Sequence, residues 1–281
     1  MPRDKNRRWK SPKGDSTTER ARPDFSATPR TRAPRSENRG ASDVVQIYGF
    51  HSVEAALRAP RRQLIRLYAT EAAASRLASE AAARGIETVV LTSEEISRRA
   101  PREAVHQGAL LEARPLAPID LSELPDAGLV VVLDQVTDPH NVGAILRTSA
   151  AFAVDALVTT ERHSPQLTGA LTKSASGGLE HVPICSVVNL ARAMQELGDR
   201  GYQRVGFDSE ASQALGALTL SRPLALAFGA EGRGLRRLTR EHCDALARLD
   251  MPGAIKSLNV SNACAVALTI VDQQLRPGSG R

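Results

Sequence analysis

The order of apolar and polar positions divides the chain into two regions in which strands and helices alternate. The first region contains three short apolar runs typical of strands, at 63–69, 86–91 and 108–113. A short helix is predicted over 53–57, and the alanine-rich segment 71–84, which a glycine follows, predicts a longer one. Thr92 and Glu95 have the spacing of a capping box that opens a third helix. We therefore predict a small α/β module over residues 44–114.

The second region follows a proline-rich stretch, residues 115–127, that is predicted to be a linker. The run at 129–133 is continuously apolar, as expected of a strand that is buried on both faces. Helices are predicted over 142–152 and, in an alanine-rich segment, from 260 to about 275. Further strand-like runs lie at 155–159, 184–188, 202–207 and 224–228. This alternation predicts a mostly parallel α/β sheet over residues 128–281.

The composition indicates a cellular compartment and excludes several classes of protein. Of 281 residues 42% are apolar, which is enough for a core, and only 3% are aromatic, so aliphatic side chains must fill it. Cys185, Cys243 and Cys264 are far apart and have no metal-ligand spacing, which favours reduced core thiols in the cytoplasm and no metal site. No apolar run is long enough for a transmembrane helix, and the N-terminus has no apolar segment typical of a secretory signal.

The positive charge is concentrated at the N-terminus. Residues 1–43 hold 12 Lys and Arg against 6 Asp and Glu, whereas the remainder holds 25 of each, so the first segment accounts for the net charge of +6. Its prolines, charges and low apolar content predict disorder. A basic tail on a neutral body indicates a polyanionic partner, most simply nucleic acid, that the tail would tether without sequence preference. The alternative is a tail that serves only solubility.

The first polar segment, residues 134–148, follows the strand predicted at 129–133, where α/β proteins place their sites. Asn141 can cap the following helix, and Arg147 lies six residues further along it. These residues are either parts of a site or a simple cap and a surface charge.

The second polar segment is a glycine-rich loop over 228–235, after another predicted strand. Three glycines in six residues suggest a backbone that lies close to a ligand. The order matches neither the dinucleotide fingerprint nor the phosphate loop. Glu231 would repel a phosphate but suits a ligand with a positive centre or an arginine partner. A plain glycine turn is the alternative.

The third polar segment, residues 249–262, turns through a Pro-Gly pair and presents Ser257 and Asn259 immediately before the last predicted helix. A loop that leads into a helix N-terminus can hold a ligand by its backbone. The same residues can also serve only as a helix cap.

In order and spacing, the three segments resemble the signature motifs of the SpoU family of RNA 2'-O-ribose methyltransferases. The resemblance covers residues 128–275 as a catalytic domain, and the segment 173–183 is similar to a further family segment. The stretches 47–57 and 105–108 resemble the ends of the family's small N-terminal RNA-binding module. This layout looks most like the branch that methylates a guanosine in 23S ribosomal RNA.

The resemblance implies a trefoil-knotted catalytic domain, a homodimer that pairs through the knotted region, and a bent S-adenosylmethionine in the resulting pocket. Cofactor contacts would come largely from the backbone of Gly229, Leu249 and Leu258. The polar catalytic set implied by the family motifs is Asn141, Arg147, Glu231, Ser257 and Asn259. One departure is Asp250, since the family usually has proline between the positions of Leu249 and Met251.

The family proposal assigns activation of the 2'-hydroxyl to Arg147. An arginine is a poor literal base, because its guanidinium stays protonated in proteins. We therefore expect Arg147 to grip an RNA phosphate and stabilise the developing alkoxide, with Ser257 and Asn259 orienting it and the methionine end of the cofactor. Glu231 could hold Arg147, including across a dimer interface. His140 is interpreted as structural.

Other classes of function remain open at this level. One is a ribose methyltransferase that acts on tRNA. Another is an rRNA-binding assembly factor that keeps the fold without catalysis, although the full polar set argues against it. A different nucleotide-using α/β enzyme is disfavoured because both common phosphate motifs are absent.

Overall fold

The computed structural model describes residues 44–102, 104–162, 171, 174–255 and 257–276. The predicted disordered tail, residues 1–43, lies outside the described residues.

The amino-terminal module contains a four-stranded sheet in the order β1-β4-β2-β3. Strand β1 pairs antiparallel with β4, β4 pairs antiparallel with β2, and β2 pairs parallel with β3. The elements are β1 (Val45–Tyr48), α1 (Phe50–Arg58), β2 (Leu64–Ala69), α2 (Glu71–Ala83), β3 (Thr88–Val90), α3 (Ser93–Arg99) and β4 (Ala109–Ala113). The predicted module is confirmed as an α/β unit, but β1 was not predicted as a strand.

The capping box predicted at the start of α3 is present. The backbone N–H of Glu95 donates to Thr92 Oγ1 at 3.3 Å, and the backbone N–H of Thr92 donates to Glu95 Oε2 at 2.8 Å. These two bonds satisfy donors that the first turn of a helix otherwise leaves free, so the local sequence alone defines this helix start.

The larger region is built on a seven-stranded sheet in the order β7-β6-β5-β10-β8-β11-β9. Every strand pair of this sheet is parallel, which confirms the predicted parallel α/β class. The elements are β5 (Leu129–Asp134), α4 (Pro139–Ala151), β6 (Ala156–Thr160), α5 (Gly178–His181), β7 (Ile184–Val187), α6 (Leu190–Asp199), β8 (Gln203–Phe207), β9 (Gln213–Ala214), β10 (Leu224–Gly229), α7 (Arg237–Glu241), β11 (Ala245–Arg248) and α8 (Val260–Leu275).

Both faces of this sheet are covered, which explains the continuous apolar runs. Every residue of β5 is buried. Its Leu129, Val131 and Leu133 belong to the core shared with α4 and α8, whereas Val130 and Val132 belong to the core shared with α6. Alternate side chains on a strand point to opposite faces, so a central strand between two helical layers needs an apolar residue at every position.

The stretch predicted as a linker packs against the larger sheet. The backbone N–H of Ile119 donates to the carbonyl of Ile184 at 2.9 Å. Leu121 and Leu124 are buried in the core on the α6 side, and Asp120 caps a short 3₁₀ turn at Leu121–Glu123. Two side chains of the segment that connects the two regions are therefore buried in the core, and they fix this segment against the sheet.

A buried ion pair joins the module to the larger region. The Nε of Arg62 donates to Glu180 Oε2 at 3.0 Å, and both side chains are only 2% exposed. Arg62 also donates to the carbonyl of Arg114 at 3.0 Å. Nearby, a side chain at Gly177 would collide with Ala55 of α1, since an added Cβ would lie 2.5 Å from the Ala55 Cβ. These contacts fix the module against the start of α5.

Within the described ranges, the structure contains no helix that is both long and apolar enough to cross a membrane.

Candidate functional site

Residues from all three polar segments meet at the carboxyl-terminal edge of the larger sheet. The Nδ2 of Asn259 donates to Glu231 Oε1 at 2.6 Å and to Asn141 Oδ1 at 2.9 Å. The Nδ2 of Asn141 donates to the same Glu231 oxygen at 3.2 Å. We call Asn141, Glu231 and Asn259 the amide–carboxylate cluster. Because these residues lie far apart in the sequence, only the fold brings them together.

Asn141 does not cap α4, so the simple-cap alternative for this residue is wrong. Asp138 is the capping residue, and its Oδ1 accepts the backbone N–H of His140 at 3.0 Å. Pro139 then occupies the first helical position, which is where proline is favoured in helices. The helix thus begins earlier than predicted, and the side chain of Asn141 is left for the cluster.

Asn259 is both a helix cap and a member of the cluster. Its Oδ1 accepts the backbone N–H of Ser261 at 2.9 Å, as predicted for the start of α8. Its Nδ2 supplies the two cluster bonds described above. Capping and membership of the cluster are therefore compatible, because the oxygen of the amide accepts the capping bond and its nitrogen donates the two cluster bonds.

The glycine-rich loop after β10 closes tightly on itself. The backbone N–H of Gly234 donates to the carbonyl of Ala230 at 2.8 Å. A Cβ added to Gly229 would lie 2.0 Å from the carbonyl carbon of Gly234, a distance that no side chain can adopt. Gly229 is thus required by the approach of the loop backbone, and the closed loop presents Glu231 to the cluster.

A cavity of about 370 Å³ lies beside the cluster, which is within the range typical of small-molecule sites. The predicted residues Gly229, Glu231, Leu249, Ser257 and Leu258 all line it.

Sequence reasoning missed several residues of this cavity. Phe207 and Phe228 stack with ring centroids 4.4 Å apart and form an apolar wall. Asp208 and Ser209 come directly after β8 and also line the cavity, as does Met251. The available signal for Asp208 and Ser209 was their position at the carboxyl end of a parallel strand.

Arg147 forms no hydrogen bond or ion pair with the cluster within one chain. Its side chain is exposed on α4, and it has no hydrogen-bond or ion-pair partner among the described residues. The carboxylate of Glu231 is bound instead by the two asparagine amides. The expected pairing of Arg147 with Glu231 is therefore not formed within the chain.

Asp250, the departure from the family pattern, lies outside the cavity lining. Its Oδ1 is 3.1 Å from the Nε of Arg248, and its side chain is largely exposed. His140 is also exposed, with its Nδ1 3.2 Å from Ser174 Oγ.

The cysteines are free thiols away from the cavity lining. Burial raises the pKa of Cys185, Cys243 and Cys264 to about 12 in each case. Such thiols stay protonated at neutral pH and are poor nucleophiles. Over the part of the chain that the structure describes, no group of three or more His, Cys, Asp or Glu residues could hold a metal ion.

The fold and the site define a parallel α/β protein with a small-molecule cavity and a polar cluster at the carboxyl edge of its sheet. Family models then identify the two regions separately. Residues 128–269 match the SpoU rRNA Methylase family, and residues 46–119 match the model for RNA 2'-O ribose methyltransferase substrate binding. The chain belongs to the SpoU methylase family.

The match to curated relatives covers nearly the whole length of each relative. The 23S rRNA (guanosine-2'-O-)-methyltransferase RlmB of Pseudomonas aeruginosa is 40% identical over 83% of this chain and 97% of its own. The protein of the same name from Pasteurella multocida is 40% identical over 82% of this chain and 98% of its own.

Solved structures show the same fold at lower identity. The SpoU methyltransferase AviRb from Streptomyces viridochromogenes, in complex with the cofactor AdoMet, has a TM-score of 0.70 at 20% identity and covers 83% of this chain and 90% of its own. An rRNA methyltransferase from Sinorhizobium meliloti has a TM-score of 0.71 at 22% identity, with 84% and 89% covered. The trefoil knot remains a prediction, which is based on membership of the family.

Proposed function

We propose that this protein transfers a methyl group from S-adenosylmethionine to the ribose 2'-hydroxyl of a guanosine in 23S ribosomal RNA. The observation that carries the proposal is the convergence of the three SpoU motif segments on one cluster beside the cavity. The identity of 40% with 23S rRNA guanosine methyltransferases supports this choice of substrate.

The cavity suits the cofactor in shape and in chemistry. Gly229 leaves room for loop backbone where any side chain would collide, and Leu249 and Leu258 add apolar surface to the Phe207–Phe228 wall. Glu231 places a carboxylate at the lining, which suits a ligand with a positive centre, whereas the carboxylate of Asp208 is paired with Arg240. S-adenosylmethionine supplies a methyl group on a sulfonium, which is already a good leaving group.

The polar residues would then align and activate the RNA hydroxyl. We assign two roles to Arg147, which are to bind an RNA phosphate and to stabilise the developing alkoxide. Its guanidinium is available for both, because it is exposed and has no partner among the described residues. Ser257 and Asn259 would orient the reacting groups at the mouth of the cavity. Glu231 would hold both asparagine amides in place through the bonds described above.

Incubation with methyl-labelled S-adenosylmethionine tests the proposal. Label should enter 23S rRNA, and mapping of ribose methylation should place it at one guanosine that is unmethylated in a deletion strain. Label in tRNA alone would overturn the substrate assignment. RNA binding with no label in any RNA would identify an assembly factor and refute the catalytic assignment.

Replacing Gly229 with alanine should abolish measurable cofactor binding. The added Cβ has no space, because it would lie 2.0 Å and 2.3 Å from backbone atoms of Gly234 and Leu235. Gly253→Ala is the matched control, since a Cβ there meets no atom within 4 Å. Titration calorimetry with S-adenosylmethionine compares the two variants. Equal affinities would show that the tight loop is not part of the cofactor site.

We also propose that the protein is a cytoplasmic homodimer. The free, buried thiols suit a reducing compartment. Helix α8 is rich in alanine, and its Val266 is 41% exposed, so it offers a close-packing surface to a second copy.

Sedimentation should show a dimer at micromolar concentration. Replacing Val266 with glutamate should shift the distribution towards monomer, since it places a charge on the proposed contact surface. A fully active wild-type monomer under the same conditions would contradict the dimer.

A further inference from the structure

A second cavity lies on the α6 side of the sheet, away from the amide–carboxylate cluster. It has a volume of about 430 Å³ and lies between the carboxyl end of β6, the N-terminus of α6 and the start of α7. We call it the arginine pocket, and its polar lining residues are Thr160, Arg162, Asn189, Arg236, Arg237 and Thr239. None of these residues belongs to the site already described.

The charge of the arginine pocket favours an anion. Arg236 donates from Nε to Asp134 Oδ1 at 2.6 Å, and Arg237 lies 2.5 Å from Glu241. Arg162 is exposed and has no ion-pair or hydrogen-bond partner among the described residues. Arg236 and Arg237 are thus each paired with a carboxylate, whereas Arg162 has no such pair among the residues that the structure describes.

Two buried hydroxyls at the same wall are unsatisfied. Thr160 is 5% exposed and Thr239 is 1% exposed, and the Oγ1 of each has no hydrogen-bond partner among the described residues. Buried polar atoms in folded proteins almost always have a partner. Because each Oγ1 is itself shielded from solvent, a ligand in the open pocket does not reach it, and the preference of the pocket for an anion rests on its arginines and on the helix N-terminus.

The N-terminus of α6 adds backbone donors to the pocket. Asn189 caps this ten-residue helix by accepting the backbone N–H of Arg192 at 3.1 Å, and Leu190 and Ala191 of the first turn line the cavity. Free first-turn N–H groups and the helix dipole favour a phosphate at this position.

The rim of the pocket is apolar. Val188 is 75% exposed and Leu238 is 48% exposed, and both line the cavity. Exposed aliphatic side chains beside guanidinium groups suit a ligand that has a phosphate and an adjacent sugar or base.

We propose that the arginine pocket binds a backbone phosphate of the substrate RNA, with the neighbouring nucleoside against Val188 and Leu238. The inference rests on the proposed function for its choice of RNA. The segment from Gly229 to Glu241 links the two sites, because it carries Glu231 at one end and Arg236 and Arg237 at the other. An RNA strand held here lies at the same sheet edge as the cofactor cavity.

The test uses the double variant Arg162→Gln/Arg237→Gln in the full chain. Arg236 is left in place, because its loss would leave the buried carboxylate of Asp134 without its partner. The control is Arg222→Gln, since Arg222 lies before β10 at the opposite edge of the sheet and is also partly paired, 3.7 Å from Asp155. Binding of a 23S rRNA fragment is measured against salt concentration, without cofactor.

We expect the double variant to bind RNA at least tenfold more weakly, with the slope of log affinity against log salt reduced by about 1, because one phosphate contact is lost. Affinity for S-adenosylmethionine should stay within twofold in both variants. An affinity and slope equal to those of the control would overturn the proposal. Because binding is read without turnover, the result is independent of whether the protein methylates RNA.

Calorimetry with inorganic phosphate alone separates the two sources of a phosphate group. Free phosphate that binds as tightly as the RNA fragment would assign the pocket to a small anion and refute an RNA contact.

Discussion

The Arg147→Ala variant should methylate RNA at least about 100-fold more slowly than the wild type while binding S-adenosylmethionine nearly normally. Removal of one group that stabilises charge in a transition state typically has an effect of this size. Stability should change little, because Arg147 is exposed and has no partner among the described residues. Single-turnover methylation and calorimetry measure the two quantities separately.

The conservative variant Arg147→Lys distinguishes charge from geometry at the same position. Partial recovery of the rate would assign the effect to positive charge, and no recovery would assign it to the planar, two-pronged contact that only arginine makes. A rate near that of the wild type in Arg147→Ala, with the fold intact, would exclude Arg147 from the mechanism.

Asn259 needs a different design, because it caps α8 as well as joining the cluster. Asn259→Ala should cost about 1 kcal/mol of stability through the lost cap, and it should also weaken cofactor binding and lower the rate. Asn259→Asp keeps a capping oxygen but replaces the donating Nδ2 with a carboxylate oxygen beside Glu231. If the cluster serves the reaction, Asn259→Asp should be as inactive as Asn259→Ala. Full activity in Asn259→Asp would reduce the role of this residue to capping.

The Glu180→Ala variant should lose about 3–5 kcal/mol of the free energy of unfolding. Its partner Arg62 is only 2% exposed and would be left as an uncompensated buried charge. Denaturant unfolding monitored by circular dichroism measures the loss. The double variant Arg62→Met/Glu180→Leu should recover much of it, since a buried ion pair can often be replaced by apolar residues of similar volume.

Glu87→Ala is the matched control, because Glu87 pairs with Arg66 in an exposed ion pair. Exposed pairs contribute little to stability, so this change should be nearly silent. Equal effects of Glu180→Ala and Glu87→Ala would show that the contact between the module and the larger region is solvated. Loss of rRNA methylation in Glu180→Ala, with cofactor affinity retained, would indicate that the docked module presents the RNA.

Local sequence patterns determined much of the secondary structure. The capping box at Thr92 and Glu95, the buried strand β5 and the bounds of α8 all follow from residues within a few positions of one another. Such features depend on backbone hydrogen bonding and on which faces are covered, and both leave a short-range periodic signature. The second and third motif segments likewise identified part of the cavity wall, since each lies directly after a parallel strand, whereas Asp208 and Ser209 were missed.

The tertiary structure decided which of these residues meet. The three members of the amide–carboxylate cluster are separated by 28 to 118 positions, and Arg62 and Glu180 are 118 positions apart. Asp138 and Asn141 were both good caps by local rules, and the structure used the first for α4 and the second for the cluster. Long-range pairs leave no periodic signal in one sequence, because the free energy that forms them depends on how distant segments pack.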